Sequence, residues 1–162
     1  MAQWFKETFD FHDVQRIMFR LMERVDVFKE LNQREVMLLL EASEKCTFDP
    51  GETIVREGST GAYLYVIIEG SVSVIKGSDI GGGTELAKLG PGDSFGEVSL
   101  VDNGTRSASV MAMSTCILLR LAEKECWRHP VISAKVYRNL ARIIAKRLRN
   151  MDHLYVLNRR DA

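Results

Sequence analysis

The chain has 162 residues, 46% hydrophobic and 27% charged, with a formal net charge of zero. That size and mixture suit one soluble domain with a sizeable core, and no apolar run approaches the length of a membrane span. The zero conceals a division: residues 130–162 hold eight Lys or Arg against two Asp or Glu, a net of +6, while residues 1–129 hold fourteen against twenty, a net of −6. A basic end can meet nucleic acid, an anionic membrane or an acidic partner, or it can be a solvated helix face that balances an acidic body.

The N-terminus lacks the charged-then-apolar segment of a cleavable signal. The three cysteines, Cys46, Cys116 and Cys126, are odd in number and have no Cys-x-x-Cys spacing. A disulfide framework or zinc ribbon is therefore not expected, and a reducing, cytoplasmic setting is. All twelve glycines fall between Gly51 and Gly104. Glycine punctuates turns and weakens helices, so the chain divides into a helical start, a β middle and a helical end.

In chain order, Phe11, Val14, Ile17, Met18, Leu21, Met22, Val25 and Phe28 recur at steps of three and four. They form the apolar stripe of an amphipathic helix with Asp10 as a plausible N-cap. This predicts an N-terminal helical extension over 1–31. A second helix fits 32–43, with Val36, Leu39 and Leu40 inward, and Pro50-Gly51 breaks the chain. Short β-rich runs at 53–56, 62–69, 71–75, 85–89, 107–113 and 116–121 alternate with turn signals and predict an all-β barrel or sandwich over about 48–121. Residues 77–84, with three consecutive glycines, read as a hairpin tip, and Gly90-Pro91-Gly92 as a tight turn. From Ala122 glycine disappears. A hinge or short helix is expected over 123–129 and a long helix from Ser133, within helices spanning about 122–158. Leu140, Ile144, Leu148, Met151 and Tyr155 make a long apolar seam that the barrel or a second copy of the chain could cover.

The stretch DSFGEVSLVDNGTRSASV, residues 93–110, places an acid, Glu97, and a base, Arg106, nine residues apart in a segment that otherwise suggests burial. His12, His129 and His153 all lie outside the β middle, which argues against a His-ligated metal inside the barrel and against a cupin-like oxygenase. Ser99 and Ser107 have no nearby histidine for a Ser-His-Asp set. Asp93 and Asp102 look like turn residues rather than partners of Glu97 in acid–base catalysis. Nothing in the stretch calls for an enzyme. A guanidinium fork matches a phosphate, a carboxylate accepts from a ribose hydroxyl, and Gly96 allows close approach of backbone to ligand. A short helical turn starting near Gly96 would aim N–H groups at an anion. The residues alone leave two readings open: a nucleotide with a compact phosphate, or an internal Glu97–Arg106 ion pair that holds a loop.

Phe95-Gly96-Glu97-Val98-Ser99-Leu100 followed by Arg106-Ser107-Ala108 resembles the phosphate-binding cassette of cyclic nucleotide-binding domains. These occur in cAMP-dependent kinase regulatory subunits, cyclic-nucleotide-gated channels and bacterial catabolite activator proteins. Gly51-Glu52, Arg56-Glu57-Gly58, Tyr63-Leu64-Tyr65, Glu69-Gly70-Ser71-Val72 and Leu89-Gly90-Pro91-Gly92-Asp93 extend the similarity, which covers roughly residues 27–157. The resemblance implies an α+β fold: a jelly-roll β-barrel (a double-stranded β-helix) flanked by N-terminal helices and a long C-terminal helix. The cyclic nucleotide-binding domain would occupy 32–162.

It also implies roles. Arg106 would bind the cyclic phosphate, and Glu97 would accept from the ribose 2′-hydroxyl. The amides of Gly96, Val98 and Ser99 would line the phosphate and ribose side, and Ser107 would add an amide or hydroxyl contact. Val74, Leu86 and Leu89 would touch the base, with Tyr155, or else Leu154 or Leu157, covering it as a lid. Ser99 stands where Ala or Gly is usual, and Thr105 where Pro often precedes the arginine. A hydroxyl at Ser107 can approach a guanine amino group but also occurs in cAMP binders, so the ligand is expected to be cAMP, with cGMP the alternative. No metal or other cofactor is implied. The expected function is a regulatory sensor that passes occupancy through its C-terminal helices to an effector protein, as a homodimer through the long helix, with nucleic acid not an expected partner. The alternatives are a catabolite-activator-type DNA-binding regulator without its helix-turn-helix, since the sequence ends at Asn158-Arg159-Arg160-Asp161-Ala162, and a ligand-free dimerisation scaffold.

Overall fold

A computed structural model describes residues 18–19, 21–77, 83–102 and 104–158, with side chains as far as Asn150 apart from Ser99 and Asp102. Its strands are β1 Glu44–Phe48, β2 Thr53–Val55, β3 Tyr63–Glu69, β4 Val72–Lys76, β5 Thr84–Leu89, β6 Ser94–Phe95, β7 Ser109–Ala112 and β8 Cys116–Ala122. They form two four-stranded antiparallel sheets, ordered β1-β8-β3-β6 and β2-β7-β4-β5. Strands from both ends of the run lie side by side in each sheet, which is the interleaving of a jelly roll.

The helices are α1 Gln33–Glu41, α2 Glu97–Asp102, α3 Glu123–Cys126 and α4 Pro130–Asn158, with a 3-10 turn at Asp26–Phe28. Together with the barrel they make the α+β jelly roll expected of the sequence. None of the described helices is long and apolar enough to cross a membrane.

Strand β3 shows why the layers stack as they do. Its run Leu64-Tyr65-Val66-Ile67 is buried throughout, because each face has its own cover. Leu64 and Val66 join a cluster with Val36, Leu39, Leu119, Val136 and Leu140 beneath the helices. Tyr65 and Ile67 point between the sheets, onto Val72, Phe95, Val110 and Leu118. A strand buried on both faces reads as a continuous apolar run rather than as an alternation.

The N-terminal stripe is packed where it is described: Met18, Leu21, Val25 and Phe28 are all buried in the helical cluster. The helix does not run through to Phe28, however. Helical geometry stops at Arg24, the 3-10 turn follows, and Glu30 adopts φ 66°. No Gly or Pro marks this break. Beyond the break the buried Asn139 of α4 donates its side-chain amide to the carbonyls of Val27 (3.0 Å) and Lys29 (2.5 Å), satisfying groups that the end of the 3-10 turn leaves open. Asp10, Phe11, Val14 and Ile17 lie outside the described residues, as does the hairpin tip at 78–82.

Two strands escape the sequence pattern. β1 starts at Glu44, ahead of the expected barrel, and β6 has only two residues. At the other end α4 begins at Pro130, where the fixed φ of proline suits a first helical turn. Its inward positions, Ile132, Val136, Leu140 and Ile143, are buried, whereas Leu148 of the expected seam is 58% exposed. The side chains of Met151 and Tyr155 lie outside the described residues.

Helix α1 is bound to α4 by charge. Asn32 caps it in a capping box, its side chain accepting from Glu35 N while Glu35 Oε2 accepts from Asn32 N at 2.8 Å. Lys135 Nζ donates to both Glu35 oxygens, at 2.8 and 2.7 Å. The Lys135 hydrogen bond, with the Asn32 amide second, holds the Glu35 carboxyl below its ordinary value. A depressed folded pKa adds stability that is present above the ordinary carboxylate range and is lost as pH falls through the folded value. Glu35→Gln keeps an acceptor for the capping box but removes this dependence. Its urea midpoint is therefore expected to fall less than that of the wild-type protein on acidification through about pH 5 to pH 3, measured by circular dichroism.

Candidate functional site

Strand β6 carries the chain from the barrel into the site. Phe95 lies opposite Tyr65 on β3, with the two rings stacked at 5.0 Å, and Ser94 lies opposite Val66. Gly96 then turns the backbone with φ +85°, in the left-handed region, and α2 starts at the next residue. The glycine is required twice over. A Cβ there would lie 2.6 Å from Arg106 Nη1 and 2.6 Å from the Tyr63 carbonyl oxygen.

Arg106 is buried beside this turn. Its Nη1 donates to Gly96 O and its Nη2 to Tyr63 O, each at 3.0 Å, and its guanidinium lies 6.0 Å from the Tyr65 ring centroid. The backbone is held as firmly: Gly58 N donates to Arg106 O at 2.9 Å, and Arg106 N donates to Ser59 O at 2.8 Å. Next along, Lys76 Nζ donates to Ser107 O at 2.6 Å while pairing with Glu57. Burial lowers the Arg106 pKa from its ordinary value, opposed by Tyr65 and Glu97. An arginine stays charged under such a shift.

Glu97 is 1% exposed. Its Oε1 accepts from Arg147 Nη1 of α4, and Arg147 Nη2 donates to Ser94 O at 2.9 Å. Its Oε2 is buried without a hydrogen-bond partner. The acid and the base therefore sit in one buried pocket of backbone, each with partners of its own.

The remaining sequence-predicted residues are more scattered. Val98 and Ser99 follow Glu97 in the first turn of α2, with Val98 exposed. Val74 and Leu89 are half-buried against the cluster between the sheets that contains Tyr65 and Phe95. Leu86, on β5, is 59% exposed, and Ser107 is exposed. Tyr155, Leu154 and Leu157 fall in the last two turns of α4, where side chains are outside the description. Sequence reasoning missed Arg147, Lys76 and the Tyr63 carbonyl. Arg147 did leave a trace: it follows Val136, Leu140 and Ile143 at steps of four, three and four, although it is itself partly exposed and only its guanidinium reaches in to Glu97.

Fold and site together define a jelly-roll module that buries one acid and one arginine around a helical turn set between β6 and β7. A model of the cyclic nucleotide-binding domain matches residues 45–128, just over half of the chain. This chain belongs to the cyclic nucleotide-binding domain family. It is 35% identical over 135 residues to the cyclic AMP receptor protein of Thermus thermophilus, covering 81% of this chain and 61% of that protein. The crystal structure of the Thermus thermophilus catabolite activator protein superposes with a TM-score of 0.73 at 35% identity, over 82% of this chain and 63% of that one. A cAMP-dependent protein kinase regulatory subunit of Yarrowia lipolytica is 34% identical over 95 residues, 59% of this chain and 24% of that protein. The chain spans less than two thirds of the length of each.

The glycine geometry yields a paired prediction. Gly77 also has positive φ (+75°), but nothing lies within 4 Å of a Cβ added there. Gly77→Ala should cost only backbone strain, about 1 kcal/mol, whereas Gly96→Ala must also displace Arg106 and should cost at least about 1 kcal/mol more in urea unfolding.

Proposed function

We propose that this domain is a regulatory sensor that binds cAMP in preference to cGMP and passes occupancy through α4 to an effector. The observation that carries the reading is the burial of Arg106 and Glu97 around one turn, with Glu97 Oε2 unpartnered. Arg147 already meets the Glu97 charge, so a ribose hydroxyl would satisfy the remaining Oε2, and a cyclic phosphate would meet the guanidinium of Arg106. The amides of Gly96, Val98 and Ser99 would line the phosphate and ribose. Ser107 would approach the phosphate or the base, Val74, Leu86 and Leu89 would contact the base, and Tyr155 would cover it. Two of the relatives carry cyclic AMP in their names, while a cGMP-dependent protein kinase of Drosophila melanogaster is also 34% identical, over 105 residues, so the preference for cAMP is carried to the nucleotide titration. The two cyclic AMP relatives are named as a receptor or a regulatory subunit, which supports a non-enzymatic role.

Occupancy can reach α4 only by stabilising one of its arrangements over another. The Glu97–Arg147 contact supplies such a link, because it joins the site to a residue 50 positions along the chain. The DNA-binding alternative has less support. Lys135, Arg138, Arg142 and Arg147, half of the basic residues at 130–162, pair with Glu35, Glu30, Glu30 and Glu97. Half of the basic end thus answers the chain's own acids.

Thermal unfolding with and without nucleotide tests the reading. Cyclic AMP at about 100 times its dissociation constant should stabilise the domain by about 2.7 kcal/mol. Arg106→Ala should abolish the shift and Glu97→Ala should weaken it. A protein that is folded and ligand-free at the outset and responds to neither nucleotide would sink the proposal. Leu148, exposed on α4, suits a helix-to-helix dimer, and light scattering should give twice the monomer mass; a monomer at high concentration removes that part of the reading.

A further inference from the structure

The exposed Ser107 follows the buried Arg106, and its peptide is gripped from the far sheet. Lys76, the last residue of β4, donates from Nζ to the Ser107 carbonyl at 2.6 Å. The same ammonium pairs with Glu57 Oε1 at 2.6 Å. Glu57 Oε2 accepts from Gly77 N at 2.8 Å, and Glu57 N donates to Ser109 Oγ at 3.0 Å. Segments from three separate parts of the chain, at residues 57, 76–77 and 107–109, are thus closed into one hydrogen-bonded ring.

The side chains of Lys76 and Glu57 are 53% and 23% exposed, and a pair so open to water contributes little to folding stability. Its effect is local. Arg106 is fixed at its N and O by the 58–59 turn, and Ser109 is fixed through its hydroxyl. Lys76 holds the peptide in between. A hydroxyl reads its partner only when it is held to within about 0.5 Å.

We propose that Lys76 is a positioning residue for base selection: held by Glu57, it fixes the Ser107 peptide so that the exposed hydroxyl meets the purine. The inference rests on the cyclic-nucleotide reading of the site. A guanine amino group can donate to that hydroxyl, and adenine has no such group at the same place, so the contact supports cGMP and limits the preference for cAMP. With Lys76 gone, Ser107 moves and the guanine amino group loses its acceptor.

Isothermal titration with cAMP and with cGMP tests this in the wild-type protein, Ser107→Ala, Lys76→Met and the double variant. Ser107→Ala should weaken cGMP relative to cAMP by about three- to tenfold, the worth of one neutral hydrogen bond. Lys76→Met should move the ratio the same way by about threefold, and should move it no further in a protein that already carries Ser107→Ala. Lys76→Arg keeps donors for both Glu57 and the Ser107 carbonyl and should restore the wild-type ratio. Glu57→Gln loosens the hold on Lys76 and should give an intermediate ratio; it carries the test if Lys76→Met does not fold. The inference is overturned if Lys76→Met weakens both nucleotides equally, as loss of a nearby positive charge would, or if its effect on the ratio persists in full beside Ser107→Ala. It is also overturned, with the cyclic-nucleotide reading left standing, if Ser107→Ala leaves the ratio unchanged or if the wild-type protein binds cAMP and no cGMP. Binding of neither nucleotide by the wild-type protein would instead remove the reading itself.

Discussion

Arg106 must keep a full positive charge in a place almost closed to water, and much of the surrounding chain is arranged around that requirement. Two backbone carbonyls, of Gly96 and Tyr63, face its guanidinium. The chain can bring them there only because residue 96 has no side chain and adopts a left-handed φ. The same turn ends β6 after two residues and begins α2, which buries Glu97 nearby. The 58–59 turn grips the backbone of Arg106 from the other side. A guanidinium is the one cationic side chain that tolerates such a site: it stays ionised at any physiological pH, and its planar fork meets several acceptors at once.

The long helix links this site to the rest of the helical layer. Its first half is held by Lys135 on Glu35, by Arg138 and Arg142 on Glu30, and by Asn139 on the carbonyls of Val27 and Lys29. The two pairs at Glu30 are exposed, and ion pairs of that kind contribute little individually. Asn139 is of a different kind, because it is buried and satisfies carbonyls that would otherwise lie unpaired in the core. Farther along, Arg147 holds the helix to the cassette. α4 is therefore fastened at two sites of unlike chemistry, one facing the N-terminal segment and one facing Glu97.

Much of this was legible in the sequence, and what was hidden follows a physical pattern. Strands β2, β3, β4, β5, β7 and β8 announced themselves because apolar runs alternate with glycine turns. β1 did not: Glu44-Lys45-Cys46-Thr47-Phe48 carries two charges, and its strand geometry comes from pairing with β8. β6 is too short to have a period. The first helix ends at Arg24 with no local signal, and the side chain that meets the carbonyls of the following turn, at Val27 and Lys29, lies 112 and 110 residues away. Glu97 and Arg106 stood out by type and spacing, yet their immediate partners did not. Backbone carbonyls leave no mark in a sequence, and Arg147 was one cation among several in a basic helix until the fold chose it.

The pairing of β1 with β8 has a mechanical consequence. Glu44 lies opposite Arg120, and Phe48 opposite Cys116, so the chain enters and leaves the barrel on adjacent strands at the same end. Tension transmitted through the flanking helices would load this ladder from that end and peel its hydrogen bonds one at a time, instead of shearing them together. The Glu44–Arg120 ion pair, with the Arg120 guanidinium 4.9 Å from the Tyr63 ring centroid, sits where such a tear would begin. Tyr63 also supplies the carbonyl that holds Arg106. Tyr63 thus joins the end of the barrel where such a tear would begin to the place where its buried arginine is held.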